Sequence, residues 1–208
     1  MPDWNDIFTK GGKVFLKPHP DVERLAMLFK EHGVRKILDL GCGTGRHLVY
    51  FSKRGFDMHG IDASPKALEI AKTWLKDEKL HAKLINHRME FEFPFADDFF
   101  DAIISIQVIH HNLMKDIIFS IKEIERTLKS KGYIFITFPI WGLGSRSKTW
   151  DMKEIEKNTY LPQNGPEKDL PHHYFTIEEI REVFNSFNLN KIYVDGTDHR
   201  AILGQKIE

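Results

Sequence analysis

The stretch Leu38-Asp39-Leu40-Gly41-Cys42-Gly43-Thr44-Gly45-Arg46-His47 decides the fold of this chain. It begins at the end of an apolar run, passes through three glycines spaced two residues apart and continues into a helix-compatible segment. Glycine permits a positive φ and lets the backbone approach a ligand, while the following helix offers free N–H groups and a positive dipole end. The stretch therefore predicts a strand, a tight turn and a helix that together bind a polar or anionic small molecule.

The glycine spacing and a second acid narrow the identity of that ligand. The dinucleotide fingerprint GxGxxG places its third glycine three residues after the second, whereas here the pattern is GxGxG, with Asp39 two residues before the first glycine. A second strand is predicted over residues 56–61, and Asp62 follows it. A carboxylate at that position can accept hydrogen bonds from both hydroxyls of a ribose.

Two short motifs carry a family resemblance. Asp39-x-Gly41-x-Gly43-x-Gly45 and Gly60-Ile61-Asp62 resemble the first two motifs of the class I S-adenosylmethionine (SAM) methyltransferases, of the methyltransferase type 11-like family. The resemblance covers roughly residues 36–133. It implies a doubly wound α/β fold, in which a mostly parallel seven-stranded sheet carries helices on both faces and a C-terminal antiparallel hairpin strand. It also implies an enzyme that uses SAM and releases S-adenosylhomocysteine.

The resemblance further implies which residues hold the cofactor. They lie in the glycine turn, at the end of the second strand and after the third and fourth strands: Asp39, Gly41, Cys42, Gly43, Gly45, Asp62, Ala63, Met89 and Gln107. The family commonly has an acid after the third strand for the adenine amino group, but Arg88 stands there and cannot accept a hydrogen bond. Asn86, Glu90 or a backbone carbonyl is expected to take that role, with Met89 packed on adenine. Asp39 and Asp62 are alternatively turn-capping residues.

The length of 208 residues is that of one domain with an elaborated lid. We divide it into an N-terminal lid and helix (1–33), a cofactor-binding core (34–138), a substrate-side insertion (139–175) and a C-terminal helix and hairpin (176–208). Trp4 or Phe15 is predicted to cover SAM, the alternative being an N-terminal arm packed on the core. The insertion is predicted to form the substrate side of the pocket, the alternative being a surface excursion.

Composition excludes several classes of protein. Lys plus Arg and Asp plus Glu both number 30, so no uniformly basic nucleic-acid face is indicated. The single cysteine, Cys42, cannot build a disulfide framework or a cysteine metal site. No apolar run approaches the ~20 residues of a membrane span, and Asp3 and Asp6 stand where a signal peptide would be basic. We therefore expect a soluble, cytoplasmic protein with no membrane partner. No pattern indicates an oligomeric state.

Candidate catalytic residues follow the fourth predicted strand, residues 102–106. In a doubly wound sheet, ligands bind outside the carboxyl ends of the strands. His111 is the first candidate and His110 the second for a general base, which the reaction needs only if the acceptor arrives protonated. Their alternative role is helix capping or packing. On the insertion, the residues predicted to face the substrate are Trp141, His172, His173 and Tyr174.

We predict no metal site from these histidines. His110, His111, His172 and His173 have the residue type that ligates metals, but adjacent histidines lack the i, i+4 spacing that aims two ligands from one helix face.

Three functions remain, and methylation of a small metabolite at O, N or C leads them. A tRNA or other macromolecule is the second acceptor class, because Ile109-His110-His111 also resembles the strand-four region of some wobble-base enzymes. Arg146, Lys148 and Lys153 are candidates for a basic RNA-binding patch. The third is a non-catalytic SAM-binding partner subunit. Nicotinamide oxidoreduction is a distant fourth, which cofactor calorimetry would separate.

Overall fold

The fold is given by a computed structural model that describes residues 4–12, 14–143 and 150–208. The helices among these residues are α1 (Trp4–Gly11), α2 (Val22–Glu31), α3 (Arg46–Ser52), α4 (Pro65–Asp77), α5 (Met114–Thr127) and α6 (Ile177–Val183). The strands are β1 (Lys36–Leu40), β2 (Asp57–Asp62), β3 (Lys83–Asn86), β4 (Phe100–Ile106), β5 (Leu128–Pro139), β6 (Met152–Glu156), β7 (Thr159–Pro162), β8 (His172–His173), β9 (Phe187–Val194) and β10 (His199–Lys206).

Seven strands form one sheet in the order β3-β2-β1-β4-β5-β10-β9. The first five pair in parallel, and β10 runs antiparallel to both β5 and β9. The strand order reverses between β1 and β4, which places a crevice at the carboxyl ends of these two strands. The predicted mostly parallel seven-stranded sheet with a C-terminal antiparallel hairpin is confirmed.

Each face of the sheet carries its own apolar core. On one face, Phe29 of α2 and Phe51 of α3 pack with residues from β1, β4 and β5. On the other face, Ile121 of α5 and Phe184 of α6 pack against the same strands. Successive side chains of a strand point to opposite faces, so the near-continuous apolar run of β4 supplies both cores. The doubly wound architecture is confirmed.

The insertion has secondary structure of its own. Strands β6, β7 and β8 form a small antiparallel sheet, whereas the sequence predicts only a long aromatic loop there. Glu156 at the end of β6 accepts a hydrogen bond from the N–H of Met114 at 2.7 Å, which ties the sheet to the start of α5. Residues 129–132 lie within β5, where Lys131 has a φ of 59°. None of the described helices has the length and apolar character to cross a membrane.

Candidate active site

A cavity of about 950 Å³ opens at the carboxyl ends of β1 and β4. The glycine turn, the loop after β4, helix α1 and the insertion surround it. Small-molecule sites measure roughly 300–1,000 Å³, so this cavity is at the upper end of that range. The predicted site residues that line it are Gly41, Cys42, Gly43, Asp62, Ala63, Met89, Gln107, His110, His111, His172 and Tyr174.

The turn after β1 requires its glycines. Gly41, Gly43 and Gly45 have φ values of 74°, 51° and 93°, which side-chain-bearing residues rarely adopt. A Cβ on Gly41 would lie 2.2 Å from a methyl carbon of Val108. The backbone therefore passes directly beside the loop after β4. Gly45 does not line the cavity; it is the N-cap residue of α3.

Asp62 fastens the glycine turn to the end of β2. Its Oδ2 accepts from the N–H of Gly43 at 2.8 Å, and its Oδ1 accepts from the N–H of Ser64 at 2.8 Å. Burial raises the pKa of Asp62, and these two hydrogen bonds oppose the rise. Each carboxylate oxygen has a further lone pair, so the turn-ordering role and a ribose contact are compatible.

Asp39 lies behind the turn and is 1% exposed. It does not line the cavity. Within the part of the chain that the structure describes, its Oδ2 has no hydrogen-bond partner, and Nδ1 of His47 lies 3.9 Å from it. Burial raises the pKa of Asp39 from 3.8 to about 7, while the Arg46 guanidinium lowers it and Asp62 raises it. The site thus contains a buried carboxyl group that a nearby cation would stabilise in its charged form.

The Cys42 side chain packs in the apolar core and does not supply a reactive thiol. It is buried, and its Sγ would lie 2.8 Å from a Cβ on Gly60. Burial, together with the charges of Asp62 and Asp39, raises its pKa, so the thiol stays protonated and unreactive. Its backbone N–H donates to the carbonyl of Ile61 at 3.1 Å, which joins the turn to β2.

The segment after β3 forms the wall beside Asp62. The Asn86 side chain donates to the carbonyl of Asp62 at 2.9 Å, so its amide nitrogen is already engaged. Arg88, Met89 and Glu90 line the cavity, and the Met89 carbonyl accepts from Ser120 at 2.8 Å. Met89 and Glu90 remain candidates for the adenine contacts.

Gln107 adopts a strained backbone conformation at the end of β4. Its φ is 63°, which is uncommon for a residue other than glycine. Its N–H donates to Oγ1 of Thr137 at 2.8 Å, and its Nε2 lies 3.4 Å from Nδ1 of His199. Such strain clusters at functional sites, and here it turns the chain toward the two histidines that follow.

Helix α1 covers the glycine turn. Phe8 is buried, and its Cζ lies 3.5 Å from the Cβ position of Gly43. The side-chain oxygen of Asn5 accepts from Oγ of Ser64 and from the N–H of Lys66, each at 3.0 Å. Trp4 and Phe15 line the cavity. The N-terminal segment thus packs over the turn and forms part of the cavity wall.

Three histidines meet on the other side of the cavity. The ring centroids of His110 and His111 are 3.9 Å apart, and those of His111 and His172 are 4.5 Å apart. The Trp4 ring contacts His111 edge-on at 4.8 Å, so helix α1 meets the loop after β4 there.

Two residues predicted to face the substrate lie elsewhere. His173 is fully buried; its Nδ1 lies 2.7 Å from Oγ1 of Thr159 and it does not line the cavity. Burial lowers its pKa, and the Glu179 carboxylate raises it. Trp141 is 51% exposed and stacks on Tyr160 at 4.3 Å, outside the cavity wall. In a two-residue strand, neighbouring side chains point to opposite faces, which is why His172 faces the cavity and His173 does not.

Part of the cavity wall comes from residues that no sequence motif indicates. Thr197 and Asp198 line the cavity from the loop between β9 and β10, His199 lines it from the start of β10, and Glu167 lines it from the insertion. Because β10 is antiparallel to β5, its first residue pairs with Pro139 at the carboxyl end of β5. The predicted antiparallel hairpin is the signal that places this loop at the active-site edge.

A buried hydrogen bond anchors the chain after α1 to the same loop. Nε2 of His19 lies 3.0 Å from Oδ2 of Asp195. Burial alone would raise the pKa of Asp195, but hydrogen bonds from His19, Thr197 and His199 outweigh it and lower the pKa to about 2.

The predicted basic RNA-binding patch consists of three residues. Arg146 and Lys148 lie outside the described residues, and Lys153 is exposed on β6.

Comparisons with known proteins agree with this geometry. Residues 38–136 match the family model described as a methyltransferase domain. A stretch of 102 residues, 49% of this chain, is 36% identical to the ubiquinone biosynthesis O-methyltransferase of Pelagibacter ubique and covers 40% of that protein. Another of 122 residues, 57% of this chain, is 33% identical to the probable tRNA methyltransferase 9B of Homo sapiens and covers 24% of it. The chain thus spans less than half the length of either relative.

The fold is also that of solved structures. A SAM-dependent methyltransferase from Methanosarcina mazei superposes with a TM-score of 0.72 at 19% identity, covering 92% of this chain and 99% of that one. At that identity the likeness concerns the fold, whereas the family match rests on residues 38–136 and on the motifs within them. Those residues, with their glycine turn, Asp62 and parallel strands, match a methyltransferase domain, and the chain has the fold of SAM-dependent methyltransferases.

Proposed function

We propose that this chain transfers the methyl group of SAM to a small-molecule acceptor enclosed in the cavity. The main support is that the glycine turn and Asp62 line the same cavity of about 950 Å³ as His110, His111 and His172 and the aromatic side chains of Trp4 and Phe8. The nucleoside would lie against the turn, and its sulfonium would point toward the loop after β4. The acceptor would then lie between that loop and the insertion.

The side chains have separate roles in this proposal. Asp62 would accept from the ribose hydroxyls, Met89 would pack on adenine, and Asp39 would order the turn and balance the ammonium group of SAM. Trp4 and Phe8 would exclude water. Methyl transfer requires an in-line nucleophile about 3 to 3.5 Å from the methyl carbon, so most of the catalysis is positioning.

His111 and His110 are our candidates for handling the proton of the acceptor. Both are buried in the wall of the cavity that faces the insertion. If either takes a proton, the rate will fall at low pH and the fall will disappear in the corresponding glutamine variant. A packing role would instead change folding stability and leave the pH dependence of the rate unaltered.

A first experiment tests the cofactor assignment. We expect calorimetry to show binding of SAM and of S-adenosylhomocysteine, and Asp62→Asn to weaken both by about 10- to 100-fold, the effect of losing a charged hydrogen bond. Because Asp62 also holds the turn, S-adenosylhomocysteine is compared with its 2′-deoxyribose analogue. The wild-type chain should distinguish the two, and Asp62→Asn should not. Equal discrimination by both proteins would refute the ribose contact.

A second experiment identifies the acceptor class. The chain is incubated with SAM carrying a labelled methyl group, together with either a metabolite extract or total tRNA. We expect label in the small-molecule fraction. Label in tRNA, with an RNA affinity that falls with salt, would favour the acceptor class suggested by the human relative's name. Cofactor binding without any label would favour a non-catalytic SAM-binding subunit.

A further inference from the structure

The three cavity histidines come from two separate segments and converge on one point. His110 and His111 follow β4, and His172 begins β8. One ligand nitrogen from each ring lies within 4.8 Å of the other two. The three residues are only 3%, 9% and 3% exposed.

The backbone holds this cluster together. The N–H of His173 donates to the carbonyl of His110 at 2.9 Å, which joins β8 to the loop after β4. Within that loop, the N–H of His111 donates to the carbonyl of Val108 at 3.0 Å. The three rings therefore project from main-chain positions that are already linked, and bringing them together needs no large rearrangement.

A carboxylate lies against the third histidine. Oε2 of Glu167 is 3.3 Å from Nε2 of His172, and Glu167 is 4% exposed. In zinc sites, a carboxylate on one ring nitrogen of a ligating histidine orients the ring and makes it a stronger ligand. Glu167 has the chemistry and the position for that task.

We propose that His110, His111 and His172 bind one divalent transition-metal ion of the zinc type, with Glu167 as a positioning residue for His172. Imidazole suits such ions, and three protein ligands with one open position is the pattern of catalytic rather than structural zinc. Nitrogens around one tetrahedral Zn²⁺ lie about 3.3 Å apart. The nitrogens, which lie within 4.8 Å of one another in this structure, must therefore move closer by up to about 1.5 Å when the ion binds.

The open position specifies the kind of acceptor, an inference that rests on the proposed methyl transfer but replaces the proton-accepting role of His110 and His111 with metal ligation. It faces the cavity, where a hydroxyl or phenol oxygen of the acceptor would complete the coordination. The ion lowers the pKa of that hydroxyl, which loses its proton to water. The oxygen then attacks the SAM methyl carbon: a C–O bond forms, the C–S bond breaks, and its electron pair remains on sulfur as S-adenosylhomocysteine.

This proposal departs from the expectation of a metal-free site. That expectation rests on the spacing of ligands along one helix. Here the ligands come from a loop and a strand 61 residues apart, as the numbers of His111 and His172 show, so helical spacing does not apply. The neighbouring His173 contacts Thr159 and is not part of the cluster.

The test measures metal rather than activity. The chain, with any affinity tag removed, is stripped with a chelator, loaded with Zn²⁺, desalted and analysed for metal by mass spectrometry. Co²⁺ loading reports a tetrahedral site by its visible absorption. The variants are His172→Ala and Glu167→Gln, and the matched control is His81→Ala, an exposed histidine before β3. SAM binding is measured on every protein in parallel and reports that the fold is intact.

We expect about one ion per chain in the wild type and in His81→Ala, and a loss of most of it in His172→Ala. Glu167→Gln should bind Zn²⁺ about 10- to 100-fold more weakly. A wild type that retains no ion, or a His172→Ala that retains as much, overturns the metal site even if SAM binds normally. Metal retention without SAM binding would instead refute the proposed function and leave the metal site standing.

Discussion

Replacing Asp39 by Asn should stabilise the ligand-free chain, by an amount that depends on pH. The buried carboxyl group has a pKa of about 7, against an ordinary value of 3.8. Between these pH values the folded chain keeps a proton on Asp39 that the unfolded chain has lost. Because the two states bind different numbers of protons, the free energy of unfolding falls as pH rises through this window. Above about pH 7 it is about 4 kcal/mol lower than at low pH.

The same linkage gives the size of the effect at two accessible conditions. Relative to low pH, burial of Asp39 lowers the free energy of unfolding by about 2 kcal/mol at about pH 5.5, where the folded chain retains the proton, and by about 4 kcal/mol at about pH 8, where the buried group is ionised. Asparagine has the shape of aspartate without its charge. We therefore expect the free energy of unfolding of Asp39→Asn to exceed that of the wild type, with the difference growing by about 2 kcal/mol between these conditions.

Urea unfolding followed by tryptophan fluorescence measures this difference. Asp77→Asn, at the exposed end of α4, is the matched control and should show no such pH dependence. In our proposal the ammonium group of SAM balances the charge of Asp39. Saturating SAM should therefore reduce the loss of unfolding free energy that the wild type shows at high pH, and should change the unfolding free energy of Asp39→Asn less. A difference between Asp39→Asn and wild type that stays constant over this pH range would refute the argument that burial disfavours the charge.

Three further changes have defined outcomes. Gly41→Ala should abolish SAM binding in calorimetry, because the new Cβ would lie 2.2 Å from a methyl carbon of Val108. Gly55 also has a positive φ, of 86°, but open space around it, so Gly55→Ala should lower the free energy of unfolding by only about 1–2 kcal/mol and leave SAM binding intact. Thr176→Ala removes the capping box of α6 and should lower the free energy of unfolding by about 1 kcal/mol without changing SAM affinity. Asp195 has a pKa of about 2, below its ordinary 3.8, so its charged form contributes about 2 kcal/mol to the free energy of unfolding above pH 3.8. Acid unfolding curves should show this contribution being lost as pH falls toward 2. In Asp195→Asn the free energy of unfolding should change less over the same pH range.

The cofactor half of the site is largely predictable from the sequence because its geometry is local. A strand, a turn with positive φ and a helix start lie within ten residues, and the motif around Asp62 follows one strand later. Both are read from spacing alone. The sequence also predicts that residues 107–111 follow the carboxyl end of a core strand, which places them at the active-site edge.

The acceptor half is less predictable because it depends on long-range packing. His172 and His173 are adjacent and identical in type, yet only His172 faces the cavity, because β8 pairs with β7 through its backbone. Trp141 is aromatic and close in sequence to β5, but it stacks on Tyr160 instead. Which side of a short strand faces a ligand is set by register, and nothing local in the sequence fixes register for a two-residue strand.

The position of β10 has a consequence for how the chain matures during synthesis. This strand is not at the border of the sheet: it lies between β5 and β9, although it is made last of the three. Until residues 199–206 leave the ribosome, the apolar strand β5 has an unpaired edge that can recruit another chain. Nascent chains arrested before that point should therefore be a preferred client of chaperones that bind exposed β edges, and release from them should coincide with arrival of the final strand.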